Sequence, residues 1–281
     1  MSWFRTDPVI LLGMHRSGTT MLAKMLSELG VFMGHRLEKN HEPVAVLDLN
    51  DQILARAHAA WDRPGGMTDL VEHEPSVKAV AEFMREELRT LHFRRSYLGT
   101  SRMARGLSPG PWGFKDPRTT VTWPLWHRLM PNAKFILVRR HGVDVAASLW
   151  RRARKQLDEE AERFAGDSHL SRFASVRCLE LFRAFNLWVE TEEVFEILCE
   201  QTPDAEMLEL VYEDFLADPE SGLYDVVEHL DLEVDEETIR QLAERVDPSR
   251  ALAHRDDPRL EGLAEQVHRH PRLAWWETEL R

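Results

Sequence analysis

The stretch Pro8-Val9-Ile10-Leu11-Leu12-Gly13-Met14-His15-Arg16-Ser17-Gly18-Thr19-Thr20 decides the fold. Its first five residues form an unbroken apolar run, which predicts a strand buried on both faces, as in parallel sheets. Gly13 ends the run and Gly18 follows five positions later. From Thr19 onward, Met21, Leu22, Met25, Leu26 and Leu29 recur at helical spacing until Gly30 stops them. The stretch therefore reads as strand, glycine loop, helix. Glycines allow the tight turn that gathers several backbone N–H groups around one anion. The helix N-terminus adds about 0.3–1 kcal/mol of favourable potential, or ~2 when partly buried. An anion site is predicted at this loop.

Outward from that unit, residues 44–59 and 76–92 are predicted helices, and residues 97–111, rich in Gly, Ser and Pro, a mobile loop. Residues 112–115 read as a short strand ended by Pro117. A helix over 119–130, a second apolar strand over 133–138 and a helix over 142–156 follow. Further on, helical patterns cover 171–200, 213–230 and 235–246, with one more strand at 207–211. Strands alternating with helices demand crossover connections, so the expected fold is α/β, a parallel sheet flanked by helices. With no repeat and no linker, residues 1–281 read as one domain. Residues 8–150 form its anion-binding core, and residues 151–281 a helical continuation with one further strand.

Composition fits an ordinary globular chain: 281 residues, 43% hydrophobic and 30% charged. The net charge of −12 argues against broad nucleic-acid or anionic-membrane binding. No apolar run near the start is long enough to span a bilayer, and Arg5, Asp7, His15 and Arg16 break any secretory pattern, so a soluble cytoplasmic protein is expected. Cys178 and Cys199 are too few for a disulfide framework and lack metal-ligand spacing. None of the thirteen histidines forms an HExxH pair, and His268 and His270 read as surface residues, so no metal is expected. Thirty of the 36 basic residues are arginines, the side chain suited to bidentate phosphate or sulfate recognition. The run Arg151-Arg152-Ala153-Arg154-Lys155 reads as a solvated helix face.

The opening loop has the Gly-x4-Gly frame of a Walker A motif, in the required strand-to-helix context. It departs at the decisive position: Thr19 stands where the lysine would be, and Thr20 where a magnesium-binding hydroxyl would be. A kinase or ATPase needs that lysine and a metal for the β- and γ-phosphates. Here the cation, Arg16, comes earlier, and no Walker B run is evident. The loop suits a phosphate-like group handled without Mg²⁺. A second segment runs Phe135-Ile136-Leu137-Val138-Arg139-Arg140-His141-Gly142-Val143-Asp144-Val145-Ala146-Ala147-Ser148. Arg140 lies just past a buried strand and Ser148 in the next helix, where such residues face a ligand crevice. Together they suit a second phosphate, with charge-assisted bonds of about 1.5–3 kcal/mol each.

These two segments resemble the 5′-phosphosulfate loop and the 3′-phosphate motif of sulfotransferases that use 3′-phosphoadenosine-5′-phosphosulfate (PAPS). The Arg140–Ser148 spacing matches the family's Arg…Ser pair, and Gly142 stands where many members have proline. Residues 112–148, with Lys115-Asp116-Pro117-Arg118, resemble the bacterial and glycan-modifying branches. The likeness covers residues 8–150 well and the remainder in outline. The glycine-rich basic C-terminal motif of eukaryotic cytosolic members is not recognisable.

The resemblance implies a P-loop NTPase-like sulfotransferase fold and transfer of SO₃ from PAPS, as co-substrate and without a metal, to an acceptor hydroxyl or amine. It places His15, Arg16, Ser17, Gly18, Thr19 and Thr20 around the 5′-phosphosulfate and Arg140 and Ser148 around the 3′-phosphate. It also gives Lys115 and Arg16 the developing charge to stabilise. Glu42 is the first choice for general base, because a bacterial-family segment has a glutamate eight residues before an Asn-Asp pair, here Asn50-Asp51. Asp116 and His41 are the alternatives, and Asp116 could instead form a structural ion pair with Arg118 or Lys115. The acceptor is expected to be a small molecule, carbohydrate or lipid held between residues 44–66 and 97–111, with Trp61, Phe93 and Tyr97 available for stacking. A small-molecule kinase using ATP–Mg²⁺ and a non-catalytic nucleotide-binding protein are the competing readings.

Overall fold

The computed structural model describes residues 7–105, 110–163, 175–202 and 205–273. The apolar runs become four parallel strands: β1 (Pro8–Leu12), β2 (Trp112–Lys115), β3 (Lys134–Arg139) and β4 (Met207–Val211). Their order in the sheet is β2-β1-β3-β4, with Ile10 opposite both Phe114 and Phe135. Alternate residues of each run serve opposite faces, which is why the runs are apolar throughout. Ile10, Leu12, Phe114, Phe135 and Leu137 face a layer built from α2 (Val44–Arg56), α3 (Gly66–Glu72), α4 (Glu74–Arg89), α5 (Leu91–Leu98) and α7 (Thr119–Leu129). Val9, Leu11, Ile136 and Val138 face α1 (Thr19–Glu28), α10 (Tyr212–Ala217), α11 (Pro219–Leu230) and α12 (Glu236–Ala243). A third cluster joins Met14 to α8 (Gly142–Arg163), α9 (Leu181–Glu200) and α13 (Glu261–Val267), and α9 also reaches the first layer through Val194, Phe195 and Leu198.

β1 leads toward β2 on one side of the sheet and β3 toward β4 on the other. A crevice opens at such a switch point, outside the carboxyl ends of the strands. The glycine loop after β1 and Arg140 after β3 therefore share one crevice.

Three expectations are corrected. Residues 97–111 are not a loop throughout: α5 runs to Leu98 and α6 spans Thr100–Ala104, after Thr90 ends α4 and caps α5 by accepting from Phe93 N at 3.1 Å. Residues 106–109 lie outside the described residues. The pattern at 171–200 becomes helical only at Leu181, after a 3₁₀ turn at Val176–Leu179 and an extended Glu180, and residues 171–174 lie outside the described residues. The helix predicted over 213–230 is two. Asp218 accepts from Ser221 N at 3.1 Å and Pro219 opens α11, a cap that restarts the chain in a new direction. Beyond Asp247, a 3₁₀ turn at Pro248–Arg250 packs beside α10, and another at Ala253–Asp256 docks against the start of α8, where His254 N donates to Asp144 Oδ1 at 2.8 Å.

Candidate active site

The loop after β1 is shaped by its two glycines. Gly13 adopts φ +139° and donates its N–H to Thr120 Oγ1 at 2.9 Å, and a side chain there would come within 2.7 Å of the Val138 carbonyl oxygen. Gly18, at φ +97°, precedes α1, and a Cβ on it would lie 2.4 Å from the Tyr212 ring. Both are positions only glycine fills without strain. Between them Arg16, at φ +76°, is held from two sides. Its Nε donates to Ser148 Oγ at 2.8 Å, and its carbonyl accepts from the Arg140 guanidinium at 3.1 Å. Ser17 and Thr19 are buried within the turn, with Ser17 N donating to Met14 O at 3.1 Å.

Arg140 thus joins the two segments. Its guanidinium lies 4.5 Å above the Tyr212 ring, 3.6 Å from Asp144, and donates to the Arg250 carbonyl at 3.1 Å. Its Nε is buried with no hydrogen-bond partner among the described residues. Arg16 feels the positive charge of both Arg140 and Arg250, so positive potential accumulates at this end of the crevice.

A second cluster lies at the end of β2. Lys115 is buried, and its Nζ donates to Glu42 Oε1 at 2.7 Å, to the Asn40 carbonyl at 2.6 Å and to Thr20 Oγ1 at 3.2 Å. Burial pushes its ammonium pKa down, and the Glu42 carboxylate pulls in the opposite direction. Thr20, Glu42 and Lys115 are therefore one unit. Asp116, the next residue, turns the other way and is fully buried. It accepts from Asn50 Nδ2 at 3.0 Å and from Arg118, whose backbone N–H lies at 3.1 Å and guanidinium at 3.0 Å. Asn50 also donates to Thr119 Oγ1 at 2.7 Å and accepts from Thr122 at 2.9 Å and Trp126 at 3.0 Å, tying α2 to α7. Arg118 reaches Asp51 at 2.7 Å.

His15 lies between the clusters. Its pKa is held well below the ordinary imidazole value by burial first, and then by the cations Arg152, Arg118, Lys115 and Arg16. It is neutral at pH 7. Its ring meets Trp61 edge to face at 4.7 Å, and its Nε2 is buried without a partner among the described residues. His41 adopts φ +68° in the tight turn before Glu42. Burial, then Lys24 and Lys115, lower its pKa.

The structure corrects two expectations here. Phe93 and Tyr97 do not line a binding surface. Both are buried in the first core layer, and the Tyr97 hydroxyl is spent on the Gly113 carbonyl at 2.5 Å. The basic run on α8 is not solvated throughout, because Arg152 turns toward the site, 5.8 Å from the Trp61 ring.

Several site residues were not foreseen. Tyr212 packs over Gly18 and under Arg140. Its position at the carboxyl end of β4 was the available signal, since that end of a parallel sheet faces the crevice. Behind Arg140, the His141 and His254 rings stack at 4.5 Å, and Glu213 accepts from His141 N at 3.1 Å. Burial raises the Glu213 pKa to about 7, while burial, then the neighbouring His254, lowers that of His141 to about 3. Nothing in the local sequence marks this group. Among the described residues no cluster of ligating side chains suits a metal, and no helix is long and apolar enough to cross a membrane.

The model of the sulfotransferase family matches residues 8–236, most of the chain, so this protein belongs to that family and is a sulfotransferase. Its structure is similar to the sulfotransferase domain from the curacin biosynthetic pathway, with 16% identity and a TM-score of 0.52, over 94% of this chain and 98% of that one. It is also similar to sulfotransferase STF9 from Mycobacterium avium, with 17% identity and a TM-score of 0.50, over 86% of this chain and 69% of that one. These likenesses identify the P-loop-like sulfotransferase fold. No curated protein matches the sequence.

Proposed function

We propose that this sulfotransferase moves a sulfuryl group from PAPS to a hydroxyl or amine of a small-molecule, carbohydrate or lipid acceptor. The observation that carries the reading is the junction of Arg16, Arg140 and Ser148 at the switch point, beside a glycine turn that leaves no room for a Cβ. Two segments suited to anions meet there, and the buried Arg140 Nε, without a partner among the described residues, is a donor left over for a ligand. This donor set fits a nucleotide with a phosphate at each end of its ribose. The residues from His15 to Thr20 would hold the 5′ end, and Arg140 with Ser148 the 3′ end. When bound, the donor supplies the sulfuryl group and a phosphate leaving group.

The chain's own residues then divide the work. Glu42 has one carboxylate oxygen engaged by Lys115, and its other oxygen takes the acceptor proton, an assistance of about 10²–10⁴-fold in such transfers. Lys115 and Arg16 stabilise the negative charge that develops as the leaving group departs. Asp116 serves a positioning role, since its oxygens are taken up by Asn50 and Arg118 and it anchors the strand end from which Lys115 projects. A neutral His15 leaves the loop without another cation.

Calorimetry tests the donor: adenosine 3′,5′-bisphosphate should bind without metal and far more tightly than ATP–Mg²⁺, and the reverse order would refute the reading. Glu42→Gln should cut transfer about 10²-fold or more with bisphosphate affinity retained. Unchanged transfer would move the base to another residue.

A further inference from the structure

Between Leu88 and Lys115 the chain carries no acidic residue and six basic ones, Arg89, Arg94, Arg95, Arg102, Arg105 and Lys115, although the whole chain has a net charge of −12. The fold lays part of this stretch against the segment that follows α1. His35 N donates to the Tyr97 carbonyl at 2.7 Å and Arg36 N to the Ser96 carbonyl at 3.2 Å, so the two walls are joined by backbone bonds. Between them lies a cavity of about 630 Å³ lined by His35, Arg36, Leu37, His92, Arg95 and Ser96. A second, of about 290 Å³, shares His35 and adds Arg102 and Arg105.

These cations differ from the surface arginines that are paired with acids. Arg85, Arg128, Arg240, Arg245, Arg259 and Arg272 each bind a carboxylate. Among the described residues, Arg36, Arg95, Arg102 and Arg105 have no such partner, and Arg102 instead covers the Phe32 ring at 4.6 Å. Four arginines share two adjoining hollows, and among the described residues no carboxylate pairs with them. Such a site concentrates anions, and the guanidinium fork suits phosphate, sulfate or carboxylate.

The groove is tied to the reaction centre. The Arg36 carbonyl accepts from Val44 N at 3.0 Å, Leu37 pairs with Pro43, and Glu38 N donates to the Glu42 carbonyl at 2.8 Å. Glu42 thus lies two residues from the partner of Arg36, about 7 Å along the backbone. We propose that the groove binds an anionic group carried by the acceptor, a phosphate, sulfate or carboxylate set apart from the hydroxyl that is sulfated. This selects charged over neutral acceptors, and it rests on the functional reading above.

The test is titration of the full chain with inorganic tripolyphosphate as the probe, after saturation with adenosine 3′,5′-bisphosphate. The wild type should bind the probe, and the Arg36→Ala/Arg95→Ala variant about tenfold or more weakly, with bisphosphate affinity unchanged. Equal probe affinity in the two proteins, or none in either, overturns the groove. Failure of the bisphosphate to bind refutes the donor reading instead, and the difference in probe affinity still judges the groove. In a transfer assay over alcohols with and without a phosphate or carboxylate, the variant should lower the charged-to-neutral ratio of kcat/KM about tenfold. Loss of probe binding with an unchanged ratio would make the groove a free-anion site and overturn its role toward the acceptor.

Discussion

Replacing Lys115 by methionine puts the centre of the site to a quantitative test. Methionine is close in length and fills the same buried slot, so what it removes is the ammonium with its bonds to Glu42 Oε1, the Asn40 carbonyl and Thr20. Both members of the ion pair are almost wholly enclosed, at 1% and 7% side-chain exposure. Breaking such a pair from one side leaves an uncompensated charge in the interior and costs about 3–5 kcal/mol. Removing the charge from both sides should cost far less, so Lys115→Met/Glu42→Gln should recover about 2–3 kcal/mol of that loss. The assay is urea unfolding at pH 8 of the wild type, both single variants and the double variant, read as a double-mutant cycle. Additive effects of the two substitutions, or a deficit for Lys115→Met below about 1 kcal/mol, would refute the buried pair as the organising contact of the site.

Arg140→Ala should weaken adenosine 3′,5′-bisphosphate by about 10–100-fold, and adenosine 5′-phosphosulfate, which lacks the 3′-phosphate, much less; calorimetry giving equal losses would show that Arg140 does not mark the 3′ end. Glu213 has a folded pKa of about 7 against an ordinary 4.5, so the folded protein holds the extra proton and stability falls as pH rises through that window. His141, lowered to about 3, works oppositely below its ordinary 6.5 and masks part of the slope. Glu213→Gln should therefore gain on the order of 2–3 kcal/mol relative to the wild type between pH 5 and pH 8 in parallel denaturation curves, and a constant difference would contradict the assignment. Gly18→Ala places a methyl 2.4 Å from the Tyr212 ring at φ +97° and should cost about 1–3 kcal/mol in thermal unfolding along with bisphosphate binding, whereas an unperturbed melting curve would show that the loop yields freely.

Much of the fold was legible because its signals are local. An unbroken apolar run such as Ile10–Leu12 means burial on both faces wherever it occurs, and glycine at positions 13 and 18 means a turn no other residue makes cheaply. The same locality placed Lys115 at a strand end and Arg140 just past another. Local pattern failed where a polar side chain sets a boundary. Thr90 and Asp218 each cap a new helix inside what periodicity reads as continuous helix or loop.

By itself, then, the sequence determined the parallel α/β class, the glycine loop and the two segments that meet beside it, since each is written in residues a few positions apart. Only the tertiary structure decided who meets whom. Arg16 bonds to Ser148 132 residues away, Asn50 gathers Asp116, Thr119, Thr122 and Trp126, Tyr212 closes over Gly18, and Phe93 and Tyr97 vanish into the core instead of lining a pocket. Those partners are set by strand order and by the crossovers that return the chain to the same end of the sheet. Spacing along the chain carries no record of that proximity.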